Sequence, residues 1–482
     1  MQLIGFLCIT GISCYFKSPK LFITTIIAIL SIALLNAIRI KKSLPDNQPT
    51  YKHDKVAQNL SRMIKHETTN KNLRTNPKIF QDYIAELKQL FPLVFQKMEL
   101  RLVERSMLLH LKGNSKPFLL MCHSDVVDAS GAWSHPPFAG EIADGKIYGR
   151  GAFDTKGSLC AMLQATQDLL AAQTPLPDFY IFSSFDEETQ HNGAPEVIQF
   201  MLDQKIRLDF VLDEGGAIVE PLFPGLKNRT AMIALAEKGF MHVRFTASSP
   251  GAHSSQPPLV GPLEQLAKLV LGARGLFSSM VHPVTLETFK SLAPHMKFPV
   301  RFVMGNIWLF KPLIAFILKH GSDQTRAMLK TTCAFTMAEA GTEYNVVPTK
   351  ATVTANLRFS LHQDLEGSKA PLQKLADKLN LGMEVLHESA CTKVAKMGEK
   401  YQFVCRQIQK VFPGVVATPY FALGGTDARF FDPVCENVYR FIPLSVSKDQ
   451  LNKMHGIDEN IDVSALENAV QFYKEVIMGY GK

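Results

Sequence analysis

The sequence predicts an α/β protein with a mostly parallel sheet flanked by helices, an inserted α+β domain and an N-terminal transmembrane helix. Short apolar runs alternate with helical patterns from residue 118 onward, as in a parallel sheet that is covered on both faces. Residues 240–247 and 351–359 instead alternate apolar with polar side chains, which is typical of half-exposed strands. An uncharged apolar run from Leu21 to Ile38 precedes all of this.

The elements of the first domain follow from local patterns. A helix is indicated where Val56, Leu60 and Met63 recur at helical spacing, and a second where Asn76 and Pro77 have the residue types of a helix start. Apolar runs predict strands at 118–122, 179–185 and 210–212, and helical patterns predict helices at 157–172 and 194–202. A chain of 482 residues is too long for one ordinary core. We therefore predict a membrane anchor at 1–43, a catalytic domain at 44–238 and 361–482, and an inserted domain at 239–360.

One apolar segment of the inserted domain, Phe302 to Leu318, resembles a membrane span in composition. Asn306, Lys311 and Pro312 interrupt it, and a lysine in the middle of a bilayer is energetically costly. We expect this segment to be part of the inserted domain or a lipophilic surface.

The N-terminal run has the length of a membrane helix. Its eighteen residues would span about 27 Å as a helix, close to the hydrocarbon thickness of a bilayer. No small-x-small cleavage site follows Ile38, which favours a retained single-pass anchor over a cleaved signal peptide. We expect the catalytic domain on the lumenal or extracytoplasmic side, although two basic residues before the run and three after it do not decide the orientation.

The charge distribution argues against a nucleic-acid-binding protein. The chain carries a formal net charge of +8. Five of these charges flank the apolar run, before any acidic residue, on Lys17, Lys20, Arg39, Lys41 and Lys42. The remainder of the chain therefore has a net charge of only +3 and shows no basic stripe with interleaved aromatic residues.

Acidic and imidazole groups follow the predicted strands at the points where the strands end. These groups are His123-Ser124-Asp125, Asp186-Glu187-Glu188 and Asp213-Glu214, and Asp154 lies in a Gly-rich turn before a helix. Ligands of open α/β sheets collect at the carboxyl ends of strands, so the groups should converge there. Each alone is typical of an ordinary strand end, but together they predict a site for zinc, cobalt or manganese.

Longer motifs around these residues resemble a known family. HSDVVDA, GRGAFDTKGS and FDEETQHNGA closely resemble the co-catalytic di-zinc metallopeptidases of the aminoacylase and carboxypeptidase G type. The stretches PGAHSSQPP, GNIWLFKPLIAFIL, EYNVVPTKATVTANLRF and GGTDARFF are similar to the branch that contains carboxypeptidase S and the N-fatty-acyl-amino-acid synthase/hydrolases. The resemblance extends from about residue 50 onward and implies a zinc-peptidase-like catalytic domain with an inserted lid and dimerisation domain.

The resemblance also implies a role for individual residues. One Zn²⁺ would be bound by His123, Asp154 and Asp213, and a second by Asp154, Glu188 and His455, with Co²⁺ or Mn²⁺ as substitutes. Asp125 would fix the His123 imidazole through its far nitrogen. Glu187 would be the general base, His253 would stabilise the oxyanion from a second subunit, and Asn345 would help polarise the substrate carbonyl. The substrate carboxylate would be bound by Arg358, Gly424, Gly425 and Thr426.

The implied activity is hydrolysis of an amide bond next to a free carboxylate. The substrate would be an N-acyl amino acid, including long-chain ones, or a short peptide, and the enzyme would be a homodimer held at a membrane by its N-terminal helix. Phe302, Trp308 and Phe316 lie in an apolar stretch that would either bind the acyl group or pack the inserted domain's core. Three alternatives remain open, namely an aminopeptidase or dipeptidase of the same clan, a non-catalytic scaffold of this fold, and a membrane-interaction protein.

Overall fold

The computed structural model describes residues 19–45, 50–103, 106–189, 193–221 and 223–481, with side chains from residue 23 onward. The first eighteen residues of the predicted anchor lie outside the described residues. The helices are α1 (Pro19–Arg39), α2 (Val56–Ile64), α3 (Asn70–Thr75), α4 (Lys78–Leu90), α5 (Pro92–Lys97), α6 (Lys156–Ala171), α7 (Gly193–Asp203), α8 (Pro262–Ala273), α9 (Pro283–Leu292), α10 (Phe298–Met304), α11 (Ile307–His320), α12 (Asp323–Ala327), α13 (Leu365–Lys378), α14 (Glu399–Val411), α15 (Lys448–Asn452) and α16 (Val463–Gly479).

The strands form one large sheet and three smaller ones. They are β1 (Glu99–Val103), β2 (Ser106–Leu111), β3 (Phe118–His123), β4 (Ile142–Ala143), β5 (Lys146–Tyr148), β6 (Phe179–Ser184), β7 (Val211–Asp213), β8 (Ile218–Val219), β9 (Thr230–Glu237), β10 (Phe240–Ser248), β11 (Ala252–His253), β12 (Thr332–Glu339), β13 (Val346–Val347), β14 (Lys350–Arg358), β15 (Gly382–Ser389), β16 (Val416–Ala422), β17 (Val438–Arg440), β18 (Ser445–Val446) and β19 (Asn460–Asp462).

The large sheet is mixed rather than mostly parallel. Its order is β1-β2-β6-β3-β7-β17-β9-β8-β18, and β16 pairs with β9. The central strands β6, β3, β7 and β17 are parallel, whereas β1 and β2 pair antiparallel with each other and β2 with β6. Only two residues separate β1 from β2 in the sequence. Because a parallel neighbour needs a long crossover connection, these two strands can pair only as a hairpin.

The central strands are buried because both of their faces are covered. Leu119 and Met121 of β3 pack with residues of α7 on one face, and Phe118 and Leu120 pack with α6 and α16 on the other. Successive side chains of a strand point to opposite faces, so a strand between two helical layers must be apolar throughout. This layering leaves only the strand ends open to polar side chains.

The inserted unit has its own antiparallel sheet and extends further along the chain than the sequence predicts. Its sheet order is β12-β14-β10-β15, and α8 and α13 contribute to the core on its covered face. The predicted return to the catalytic domain at residue 361 falls inside this unit, because both α13 and β15 belong to it. The strand β15 is an edge strand that is exposed along most of its length, so its sequence lacks the apolar alternation of a half-buried strand.

Helices α9 to α12 cover a different part of the molecule from this sheet. Helix α9 packs against β16 of the large sheet, and Thr288 Oγ1 donates to the carbonyl oxygen of Pro419 at 2.6 Å. Helices α10 and α11 contain the apolar Phe302–Leu318 segment. Within the described residues, no single helix has the length and hydropathy of a membrane span, while α10 and α11 meet those criteria together with a bend of 103° between them.

Candidate metal centre

The polar groups that follow three strands of the large sheet meet at one edge of it. His123 is the last residue of β3 and lies beside Ser184, the last residue of β6. Strand β7 ends at Asp213 and is parallel to β3. The carboxyl ends of parallel strands lie at the same edge, which places the segments around Glu187 and Glu214 beside His123.

The first ligand group surrounds the buried His123 imidazole. Its Nε2 lies 2.9 Å from Asp154 Oδ1 and 3.5 Å from Glu214 Oε1. Burial lowers the pKa of His123, but the neighbouring Glu214, Asp125 and Asp154 carboxylates outweigh burial and hold it well above the usual value. The imidazole is therefore surrounded by negative charge, as in a cation site.

The second ligand group shares Asp154 with the first. Asp154 Oδ2 lies 2.8 Å from His455 Nε2, and the same nitrogen lies 3.0 Å from Glu188 Oε1. Asp154 and Glu188 raise the pKa of His455 to about 10. The two oxygens of Asp154 thus face one histidine each, which is the arrangement of a carboxylate that bridges two cations.

Glu214 occupies the position that the sequence analysis assigned to Asp213. One potential ligand atom from each of His123, Asp154 and Glu214 lies within 4.8 Å of the others. The Asp213 carboxylate instead accepts a hydrogen bond from the Ala428 backbone N–H at 3.0 Å. Because successive side chains at the end of a strand point to opposite sides, these two neighbours cannot both face His123. We therefore move the predicted ligand role from Asp213 to Glu214.

Glu187 lies beside the first group and is held by Asp125. The Asp125 carboxylate accepts hydrogen bonds from the backbone N–H groups of Glu187 at 3.2 Å and Glu188 at 3.0 Å. Burial raises the pKa of Glu187 well above its usual value. The Asp125 carboxylate was expected to contact His123 Nδ1, but its Oδ1 lies 3.5 Å from that nitrogen. The backbone oxygen of Asp125 is closer to His123 Nδ1, at 2.8 Å. Asp125 therefore positions the Glu187-Glu188 segment as well as the imidazole.

A buried ion pair that the sequence analysis did not identify joins the segments carrying Asp154 and His455. Glu459 accepts a hydrogen bond from Arg150 Nη1 at 2.7 Å and from the backbone N–H of Asp154 at 3.2 Å. Arg150 Nη2 in turn donates to the His455 carbonyl oxygen at 3.1 Å. Both residues lie inside recognisable motifs, GRGAFD and HGIDEN, but no spacing rule connects residues so far apart in sequence.

Arg358, one of the predicted carboxylate-binding residues, lies beside the ring of Phe240 together with Arg429. The guanidinium carbons of Arg358 and Arg429 lie 5.5 and 5.2 Å from its centroid, and a Cβ at Gly425 would lie 2.6 Å from Arg429 Nη1. Burial and the Arg429 charge lower the pKa of Arg358. Among the described residues no acidic side chain forms an ion pair with Arg358, so this position favours an anion.

Thr426 has a different role from the one expected. Its backbone N–H and its hydroxyl both donate to the fully buried Glu237, at 3.1 and 2.7 Å. Arg440 also pairs with Glu237, and Arg429 Nη1 lies 3.8 Å from it. Glu237 therefore occupies both hydrogen-bond donors of Thr426 and fixes the Gly424–Thr426 turn. These two donors are not available to a substrate carboxylate.

His253 and Asn345 lie together in the inserted unit. Strand β11 pairs with β13, and the Ser254 N–H donates to the Asn345 carbonyl oxygen at 2.9 Å. Both residues are exposed. In the described part of the chain, no hydrogen bond or ion pair joins either side chain to the ligand groups.

The donor set fits a pair of divalent cations. Its imidazole nitrogens and carboxylate oxygens are the ligands that zinc accepts. Burial, together with the neighbouring Asp154, Glu187 and Asp213 carboxylates, raises the pKa of Glu214 well above its usual value, and a bound cation would favour its charged form.

Comparisons with known proteins identify the family of this chain. The family described as Peptidase family M20/M25/M40 matches residues 119–479. The human N-fatty-acyl-amino acid synthase/hydrolase PM20D1 is 33% identical over 393 residues, covering 78% of this chain and 76% of the relative. The Dictyostelium discoideum probable carboxypeptidase S-like 2 is 29% identical and covers 94% and 92% of the two chains.

Solved structures show the same fold at lower sequence identity. The M20 family metallo-carboxypeptidase Sso-CP2 from Sulfolobus solfataricus has a TM-score of 0.63 at 20% identity, covering 88% of this chain and 98% of the other. The di-peptidase Dug1p from Saccharomyces cerevisiae has a TM-score of 0.62 at 16% identity, covering 94% and 99%. The family resemblance inferred from the motifs is confirmed.

The choice between Glu214 and Asp213 is testable with isosteric substitutions. We expect Glu214→Gln to lower bound metal, because it removes a charged oxygen that faces His123 and Asp154. Asp213→Asn should leave the metal content unchanged, because the Asp213 side chain faces the Ala428 N–H. Metal content of the purified proteins, measured by mass spectrometry, decides between them, with circular dichroism as the control for folding. Loss of metal from Asp213→Asn alone would restore the original assignment.

Proposed function

The chain belongs to the M20/M25/M40 peptidase family and is a hydrolase, and from this premise we propose that it cuts the amide bond beside a free carboxylate. The proposed substrates are N-acyl amino acids, including long-chain ones, and short peptides. The observation that carries the proposal is the pair of ligand groups that share Asp154, with Glu187 beside them. The Arg358 guanidinium, which forms no ion pair with an acidic side chain among the described residues, supports a substrate with a carboxylate.

We propose two zinc ions for this site. His123, Asp154 and Glu214 would bind one, and Asp154, Glu188 and His455 the other. Once bound, such ions lower the pKa of a water molecule and polarise the substrate carbonyl.

Glu187 is the proposed general base. It lies beside the first ligand group, while Asp125 holds its backbone. Its carboxylate takes one proton from the water that attacks the amide carbon. The resulting carboxylic acid then gives that proton to the leaving nitrogen as the C–N bond breaks, so Glu187 ends in its starting form. Burial favours this role because a raised pKa makes the carboxylate a better proton acceptor.

Arg358 and Arg429 are the proposed partners of the substrate carboxylate. Both guanidiniums lie against the ring of Phe240. Of the two, only Arg429 lies near a carboxylate among the described residues, that of Glu237 at 3.8 Å, which Arg440 also pairs with. An arginine fork binds a carboxylate through two parallel hydrogen bonds. An aminopeptidase would instead need an acidic group for the substrate's amine, so the arginine pair favours carboxylate recognition.

We also propose that the active enzyme is a homodimer and that α1 anchors it at a membrane, with the catalytic domain on the lumenal or extracytoplasmic side. His253 and Asn345 are exposed on the inserted unit and would complete the site of a second chain. The exposed edge strands β12 and β15 are available for pairing between two such units. The exposed apolar side chains of α1, among them Ile27 and Leu35, support the anchor.

A substrate screen tests the activity and its specificity. We expect kcat/KM to rise from N-acetyl through N-octanoyl to N-oleoyl phenylalanine, because each buried methylene contributes about 0.8 kcal/mol. Chelation should abolish turnover. The matched control is the C-terminal amide of each substrate, which should be cut about 10- to 100-fold less well because it loses a charged hydrogen bond of about 1.5–3 kcal/mol. A flat profile would indicate an ordinary peptide-cutting enzyme.

Substitution of the proposed base separates catalysis from metal binding. Glu187→Gln should lower kcat by at least about 10²- to 10⁴-fold, the typical contribution of a general acid–base group. Bound zinc should stay unchanged, because Glu187 is outside both proposed ligand sets. Metal content and turnover are measured on the same preparation. Parallel loss of zinc and activity would make Glu187 a ligand.

Mixing of two inactive chains tests the shared site. A Glu187→Gln chain still carries a functional His253, and a His253→Ala chain still carries a functional Glu187. Heterodimers formed by refolding or exchange should therefore regain part of the wild-type activity at one of their two sites. Subunit exchange is verified with two affinity tags, and heterodimers that remain inactive would contradict catalysis by His253 across subunits.

A further inference from the structure

The N-terminal helix is fixed to the body of the enzyme by specific contacts. The Asn36 side chain donates to the Gly305 carbonyl oxygen at 2.9 Å and to Asn306 Oδ1 at 3.0 Å. Asn306 Nδ2 in turn donates to the Ala33 carbonyl oxygen at 2.9 Å. Ala33 is fully buried, as is Asn306. Helix α1 is thus joined to the α10–α11 pair by reciprocal amide hydrogen bonds.

The same interface is packed through small residues. Ala33 and Ala37 are one helical turn apart and both fully buried, and a Cβ at Gly305 would lie 2.5 Å from Ile40 Cδ1. Arg301 Nε also donates to the Ala37 carbonyl oxygen at 2.8 Å, near the C-terminal end of α1, where a cation is favoured. Small residues and interhelical amide hydrogen bonds are typical of helices that associate in a membrane.

The outward surfaces of these helices are strongly apolar. We define the apolar platform as α1, α10 and α11 together. Its exposed large apolar side chains are Ile23, Ile26, Ile27, Leu30, Ile32, Leu34, Leu35, Ile38, Phe298, Trp308, Leu313, Phe316 and Ile317. Trp308 is 60% exposed and Phe316 49% exposed, so they do not form the inserted domain's core. A cluster of this size on one side of a protein marks an interaction surface.

The charges around the apolar platform have one sign. Lys41 and Lys42 follow α1, Lys311 lies on α11 and Lys319 at its end, and all four are exposed. No acidic residue occurs between Glu287 and Asp323 in the sequence. A lysine can extend its amine to the headgroups while its methylene stem stays in the apolar layer, and basic clusters bind anionic headgroups.

We propose that the α10–α11 part of the apolar platform is seated in the bilayer leaflet next to the catalytic domain, with α11 lying at the interface beside the anchor helix α1. This inference rests on the membrane anchoring proposed above and adds an orientation to it. Because α1 is hydrogen-bonded to the start of α11, insertion of α1 brings α11 to the same membrane surface. The 103° bend between α10 and α11 gives the pair the shape of a segment that enters a leaflet and turns within it.

Trp308 is a natural reporter of this arrangement because the chain has only one other tryptophan, Trp133. The full-length Trp133→Phe protein is reconstituted in vesicles of phosphatidylcholine and phosphatidylserine, with or without bromine in the phosphatidylcholine acyl chains. We expect Trp308 emission to shift to shorter wavelength and to lose most of its intensity in brominated vesicles. The Trp308→Phe protein, which keeps Trp133 near the metal centre, should lose none.

Two further variants decide the outcome. Ile317→Glu, at an exposed position on α11, should reduce the quenching of Trp308 without lowering turnover of a water-soluble N-acetyl substrate. Leu202→Glu, at an exposed apolar position on α7, should leave the quenching unchanged.

A tryptophan placed on the anchor separates the two parts of the proposal. Ile27→Trp, in a protein with both native tryptophans changed to Phe, reports α1 alone. Quenching of this introduced tryptophan together with an unquenched Trp308 would overturn the seating of α11 and leave the anchor intact. If both are unquenched, the membrane anchoring fails as well, and neither result depends on the substrate assay.

Discussion

The arrangement of the candidate metal ligands depends on the position of one carboxylate, that of Asp154. Its two oxygens lie within 2.9 Å of two imidazoles, one at the end of β3 and one in the loop before β19. Carboxylates and histidines from five separate segments must therefore converge within a few ångströms. Carboxylates this close together repel one another, so the fold must hold them in place. The parallel strands do this in part, because they end at the same edge of the sheet.

The Arg150–Glu459 pair joins the segment that carries Asp154 to the segment that carries His455. Both side chains are almost fully buried, and Glu459 accepts from Arg150 and from the backbone around Asp154. Removal of one partner from a buried ion pair costs about 3–5 kcal/mol, because the other charge is left uncompensated. The pair therefore acts less as a source of net stability than as a constraint on where Asp154 can lie relative to His455.

The sequence alone predicts those helices and strands whose apolar pattern lies within a short stretch of the chain. Buried strands such as β3 and β6 and the helix α6 were predicted to within about two residues, since their apolar patterns repeat over short distances. The strand β15 was missed because an exposed edge strand needs no apolar face. Glu214 was missed because Asp213 and Glu214 are chemically similar neighbours, and only the direction of each side chain distinguishes them. Glu237 and Glu459 act through contacts with distant segments, which no local pattern encodes.

Strand β16 lies between the helices next to the apolar platform and the residues around the proposed carboxylate site. Helix α9 packs on β16, with Thr288 bound to Pro419 and the His282 ring 6.1 Å from that of Phe421. The same strand ends just before the Gly424–Thr426 turn, which Glu237 fixes. Next to Glu237, the buried Lys238 donates to the carbonyl oxygens of Ala327 and Lys330 at 2.7 and 2.9 Å. Val416 of β16 also lies in the apolar cluster against which Val300 and Met304 of α10 pack. Strand β16 thus connects the apolar platform to the residues around the proposed carboxylate site, and the proposed seating of the helices in a membrane would orient that site as well.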